Sequence, residues 1–161
     1  GGRESARVAD LIAAAKIPVI YTHTFTQPFR DTDAYDTPFA TPEVLRRAGV
    51  KIAFSIGSDS FNAPLIKNLP YAAAQAVAFG LPREEALKAI TLHPAQLGGI
   101  ADRLGSIEAG KDASLFAATG DILDIRSRVT RMWIAGAEVS LENRHTRLYQ
   151  KYQARPKPSS P

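Results

Sequence analysis

Asp59 closes the run Lys51-Ile52-Ala53-Phe54-Ser55-Ile56-Gly57-Ser58-Asp59-Ser60, an apolar stretch that ends in a tight turn. The pattern predicts a buried strand that presents one carboxylate at its C-terminal end. In sheets built from strand–helix units, that end is where chemistry sits. A carboxylate there can carry a proton to or from a reacting group. His23, in Thr22-His23-Thr24, follows another short apolar run, Ile17-Pro18-Val19-Ile20-Tyr21. If the two runs are neighbouring parallel strands, His23 and Asp59 share one sheet edge. Ser58 and Ser60 flank the carboxylate, and a serine nucleophile would need a base within hydrogen-bond reach. His23 is the candidate base, although no Gly-x-Ser-x-Gly elbow is present. The bland readings are a turn aspartate in good Ser-Asp-Ser turn chemistry and a loop histidine lining a pocket. His93, before Pro94, reads as a capping or packing residue, and His145, between Arg144 and Arg147, as solvated. Trp133 and Tyr149 read as core aromatics.

The elements that must position these groups follow from local pattern. Residues 4–16 place apolar side chains at helical spacing, and residues 17–21 form a short strand with Pro18 near its start. Residues 22–41 read as a long loop, a form often used as a lid or binding loop. Thr41-Pro42-Glu43 reads as a helix start, threonine as N-cap and proline at the first turn. That helix ends at Gly49, and the second strand follows. The order helix, strand, loop, helix, strand predicts a parallel βαβ unit. Helices are expected over 69–79 and 83–91, with a short one near His93-Pro94-Ala95. The pattern then changes to short strands at 114–118 and 129–134, with Ala135-Gly136 turning into Glu138-Val139. Residues 141–154 read as a closing helix with Leu141, Leu148, Tyr149 and Tyr152 on one side. Residues 155–161, rich in proline, read as a disordered tail.

Composition sets the bounds. The 161 residues can bury an ordinary core, with 45% hydrophobic and 22% charged residues. Cysteine is absent, which excludes disulfides, thiolate metal sites and a cysteine nucleophile, and leaves the compartment undecided. The net charge is +4, and the basic residues read as scattered, so nucleic acid is not expected as a partner. No apolar run approaches the ~18 residues of a membrane span, so no membrane partner is expected. The opening Gly1-Gly2-Arg3-Glu4 has no initiator methionine and no signal peptide. The start is therefore read as processed, truncated or engineered.

Several of these segments together resemble the C-terminal part of the amidohydrolase superfamily, in its imidazolonepropionase- and prolidase-like branch. They are Ile17-Pro18-Val19-Ile20, Ala48-Gly49-Val50-Lys51-Ile52-Ala53, Gly57-Ser58-Asp59, Asn68-Leu69-Pro70-Tyr71-Ala72-Ala73 and Ala78-Phe79-Gly80-Leu81. The most specific are Ala86-Leu87-Lys88-Ala89-Ile90-Thr91 with Pro94-Ala95, and the run Leu104-Gly105-Ser106-Ile107-Glu108-Ala109-Gly110-Lys111-Asp112-Ala113. The resemblance implies an α/β fold, the last two strands and helices of a TIM-like (β/α)8 barrel over residues 1–105, and part of a small β-sandwich over 106–140. It implies that residues 17–21 and 51–56 are the seventh and eighth barrel strands. Asp59 then stands where the family places a metal-contacting aspartate that takes a proton from metal-bound water. A divalent metal, zinc first, is the implied cofactor of the complete enzyme, and a small molecule or peptide with a C–N or related bond the implied substrate.

Departures accompany the resemblance. The family's His-x-His pair, its bridging lysine or glutamate and two later histidines have no counterpart here. His93 stands where asparagine is common, and Ser114 where an aspartate is usual. Three functions stay open: the C-terminal section of a metal-dependent amidohydrolase, a catalytically incomplete binding or assembly module, and a small serine esterase using Ser58 or Ser60 with His23. An incomplete barrel is also expected to self-associate or to require a missing N-terminal half.

Overall fold

A computed structural model of the chain describes residues 2–57 and 60–155. Asp59 and Ser58, and the tail from residue 156, lie outside the described residues. A short 3-10 turn over Ser5–Val8 leads into α1 (Ala9–Ala14), then β1 (Val19–Tyr21), α2 (Thr37–Arg47) and β2 (Ile52–Phe54). The strands pair in parallel, Val19 beside Ile52, Ile20 beside Ala53 and Tyr21 beside Phe54, as the βαβ reading requires. Both are three residues long. Pro18, with no N–H, stands just ahead of β1, and Ile17 is exposed.

After β2, a 3-10 segment (Ala63–Asn68) runs into α3 (Leu69–Ala78), followed by α4 (Arg83–Ile90) and α5 (Leu92–Leu97). These helices and α2 cover the strand pair. Val19, Tyr21, Leu45, Ile52, Phe54, Ala73, Ala76 and Leu81 form the buried core. Alanine dominates the facing sides of α3 and α4: Ala73, Ala76, Ala86 and Ala89 are all fully buried. Small side chains let the helix axes approach closely. α5 is fastened to the outer edge of β2 by His93, whose Nδ1 donates to the carbonyl of Ile52 at 2.9 Å. His93 is thus a packing residue that satisfies a strand carbonyl.

The start of α2 differs from the sequence expectation. The helix begins at Thr37, four residues before the Thr41-Pro42 signal, and Pro42 lies inside it. The loop correspondingly shortens. Pro42 has no N–H, so the carbonyl of Pro38 loses its helical partner. The buried Tyr21 hydroxyl donates to that carbonyl at 2.8 Å, while the Thr41 hydroxyl donates to Thr37 O at 2.7 Å. Tertiary contact with β1 therefore carries the helix through a proline that local rules place at its start.

Burial pushes the Tyr21 phenol up to about 12. Tyr21→Phe is expected to lower stability by about 1–3 kcal/mol, the cost of an unpaired buried carbonyl, measured by urea unfolding. An absorbance titration should show a tyrosine step at about pH 12, and that step should vanish in the variant. A raised phenol pKa makes the folded state lose stability as pH climbs from about 10 to 12, because the unfolded chain releases its proton first.

The remaining strands form a separate antiparallel sheet in the order β3 (Leu115–Ala118), β4 (Val129–Ile134), β5 (Ala137–Val139). Ala135 and Gly136, both at positive φ, make the tight hairpin turn between β4 and β5. One face aligns Leu115, Trp133 and Glu138, with Arg131 bonded to Glu138 at 2.7 Å and lying 4.7 Å over the Trp133 ring. The other aligns Phe116, Met132 and Val139, with Ile134 and Ala137 beside them. No residue of these three strands is buried. The loop between β3 and β4 ties the two layers: Arg83 bonds Asp121 at 2.5 Å, and Leu123 packs on the core.

The last helix, α6 (Arg144–Gln153), also departs from expectation. It starts after Leu141, at an Asn143 N-cap whose side chain accepts from His145 and Thr146, while the Thr146 hydroxyl accepts from Asn143 N–H. Every residue of the helix is exposed, so Tyr149 is no core aromatic. Its helical form rests on this local capping box.

Candidate functional site

Both short strands end in polar, sharply turning segments. β1 leads into Thr22-His23-Thr24, where the Thr26 N–H and hydroxyl both bond back to the carbonyl of His23, at 3.2 and 2.9 Å. This turn holds the His23 backbone at the strand end. β2 leads into Ser55-Ile56-Gly57, where the Ser55 hydroxyl accepts from the Gly57 N–H at 3.1 Å. The two turns, with Asn62 just ahead of the following 3-10 segment and Leu65 and Asn68 within it, line one cleft of about 480 Å³. Parallel pairing therefore brings His23 and the residues leading to Asp59 to one edge, as expected.

The His23 ring is half-buried and stands edge-on to Tyr21, 6.1 Å between centroids. Burial, aided by the nearby Arg3 charge, lowers its pKa below the ordinary 6.5. The imidazole is therefore neutral at pH 7 and can accept a proton. The stability it contributes is present above about pH 6.5 and is lost as pH falls through the lower folded-state value.

The other sequence candidates separate from this cleft. His93 serves β2 at Ile52, near the opposite end of the strand, and His145 lies exposed on α6. Ser60 is exposed and does not line the cleft. Ser58 and Asp59 fall outside the described residues, so their geometry stays an expectation. Asn62, Asn68 and Thr26 were not singled out from sequence. Thr26 and Asn62 carry only the signal of polarity after the strand ends, and Asn68 only its place ahead of Leu69-Pro70. Among the described residues no group of three or more His, Asp or Glu side chains gathers closely enough to hold a metal ion. His23 alone does not fit a divalent cation, which needs several ligands.

A parallel strand pair under helices, with polar turns gathered at its C-terminal edge, defines a mixed strand–helix protein of the α/β class. The profile of the amidohydrolase family matches residues 33–139, and the chain belongs to that family. It is similar to an amidohydrolase from Thermotoga maritima MSB8, with a TM-score of 0.70 and 34% identity over 86% of this chain and 35% of that one. It is also similar to an imidazolonepropionase from Mesorhizobium japonicum, 37% identical over 73 residues, which is 45% of this chain and 18% of the relative. An N-acetylglucosamine-6-phosphate deacetylase from Danio rerio is 45% identical over 62 residues, 38% of this chain and 14% of the relative. A prolidase crystallised with N-methylphosphonate-L-proline shares the fold, with a TM-score of 0.60 at 21% identity over 83% of this chain and 37% of that one. The matches thus span well under half of each relative's length.

Proposed function

We propose that the chain is the C-terminal section of a metal-dependent hydrolase that cleaves C–N or related bonds in a small molecule or peptide. In this reading residues 1–105 are the last two strand–helix units of a (β/α)8 barrel. Residues 106–140 are strands of a small β-sandwich, and 141–154 a terminal helix. Asp59 would contact the metal and carry the proton, and His23, neutral at pH 7, would line the substrate pocket beside it. The observation that supports this most is the cleft where His23 and Gly57 meet beyond the ends of parallel β1 and β2. Family membership points the same way. The described donors do not make a metal centre, so the remaining ligands would come from outside this chain.

The apolar row of exposed Phe116 and half-buried Met132 and Val139 favours the second reading, an assembly module whose small sheet seats against another layer. The two readings share one expectation: the isolated chain should self-associate, with a mass above its own 17.4 kDa in sedimentation equilibrium.

Metal analysis and turnover separate them. The dialysed chain alone is expected to hold less than about one divalent ion per molecule. Joined to a segment that supplies a His-x-His pair, it should hydrolyse small amides or dipeptides in the presence of zinc. Asp59→Asn should then lower turnover by about 10²–10⁴-fold, the usual weight of a proton-transferring group. Stoichiometric zinc in the chain alone would show a ligand set that the described residues lack. Unchanged turnover in Asp59→Asn would remove the carboxylate from the mechanism.

A further inference from the structure

The basic character of this chain is concentrated at one place. Five of its 20 basic residues and none of its 16 acidic ones fall in residues 143–161, which leaves residues 1–142 with one acidic charge in excess. The other fifteen basic residues are spread through residues 1–142, where acidic residues offset them. The whole positive balance sits on α6 and the residues after it.

The side chains of α6 are sorted. At 3.6 residues per turn, Arg144, Arg147 and Lys151 fall on one arc, and Arg155 continues it past the helix end. Leu148 and Tyr152, four apart, and Tyr149 beside them form the adjoining arc. Tyr149 and Tyr152 are 66% and 53% exposed, and the Arg155 guanidinium lies 4.4 Å over the Tyr152 ring. Glu142 reaches Arg147 only at 4.0 Å and is itself half exposed. The capping box preforms the helix, so ordering it on a partner costs little.

We propose that α6 is a membrane-surface helix, which lies on an anionic lipid layer with Leu148, Tyr149 and Tyr152 at headgroup level and the basic arc against the lipid charges. Charge complementarity selects an anionic partner. The apolar arc selects lipid over nucleic acid: a phosphate backbone has no place for Leu148, whereas a headgroup boundary buries leucine and suits tyrosine. The helix is far too short to cross a bilayer, and no described helix is long and apolar enough to do so. A contact of this kind lies on the layer and needs no spanning segment. It is also independent of the cleft chemistry.

Cosedimentation of the full chain with vesicles tests it. Phosphatidylcholine vesicles containing phosphatidylserine should pull the chain down at low salt, and phosphatidylcholine alone should not. The triple variant Arg144→Gln, Arg147→Gln, Lys151→Gln should bind about 100-fold more weakly or worse, and Arg144→Lys with Arg147→Lys should bind as the parent does. Leu148→Ser with Tyr152→Ser should lose roughly tenfold. These side chains are exposed, and circular dichroism checks that each variant keeps its fold. Failure to bind the anionic vesicles overturns the proposal. So does full binding by the Leu148→Ser, Tyr152→Ser variant together with release by duplex DNA, which would assign the arc to nucleic acid.

Discussion

Gly105→Ala is expected to destabilise the chain by roughly 2–5 kcal/mol, against a total of about 5–15 for an ordinary domain. Two causes add. Gly105 holds φ at +94°, where a side chain strains the backbone. A methyl group there would also stand 2.7 Å from the Ala95 Cβ and 3.0 Å from both Leu92 Cα and Thr91 O. Two of these three contacts are backbone, and Ala95 is buried, so neither side can yield without moving α5. Gly110 provides the control. It has nearly the same φ, +92°, with nothing within 4 Å, so Gly110→Ala should show the backbone cost alone, about 1 kcal/mol. Urea midpoints of the two variants measure the difference. Equal losses would mean that the close approach of Gly105 to α5 carries no weight.

Leu45→Ala should cost about 2–5 kcal/mol, as large-to-small changes in closed cores do. Leu45 sits in the last turn of α2 with no exposed surface, inside the cluster that joins β1, β2 and the buried alanines of α3 and α4. Those alanines have no long side chains to swing into a void, so the site can collapse little. Leu11→Ala supplies the contrast, since Leu11 is 70% exposed on α1, and its replacement should stay within about 0.5 kcal/mol. A loss below about 1 kcal/mol in Leu45→Ala would show a core loose enough to refill itself.

Where a pattern is local and strong, it was legible. The strand Val129–Ile134 and its Ala135-Gly136 turn combine β-branched residues with a tight turn, and they fold as read. The parallel pairing of β1 and β2 was legible from connection rules, which leave few choices for a strand–helix–strand unit. The start of α2 was not, because Thr41-Pro42 is a genuine local start signal. What overrides it is a hydroxyl from Tyr21, remote in sequence. Tyr149 was misread because its spacing with Leu148 and Tyr152 suits burial, and spacing alone does not say whether another layer is present. At the cleft, His23 stood out through residue type and strand-end position. Asn62 and Asn68 did not, since amides in a loop also serve ordinary turn geometry.

The two sheets differ in how far apart along the chain their partners lie. β4 and β5 meet across two turn residues, while β1 reaches β2 only after the whole of α2 has been threaded between them. Hairpins of the first kind close in microseconds, whereas a parallel crossover must first overcome the entropy of a long loop. During refolding the small sheet should therefore exist before the main layer has assembled, with Phe116, Met132 and Val139 facing water. Chains that meet in that interval can stack sheet on sheet. The yield of native protein will then fall as the refolding concentration rises, a kinetic competition set by the order in which two kinds of strand connection can close.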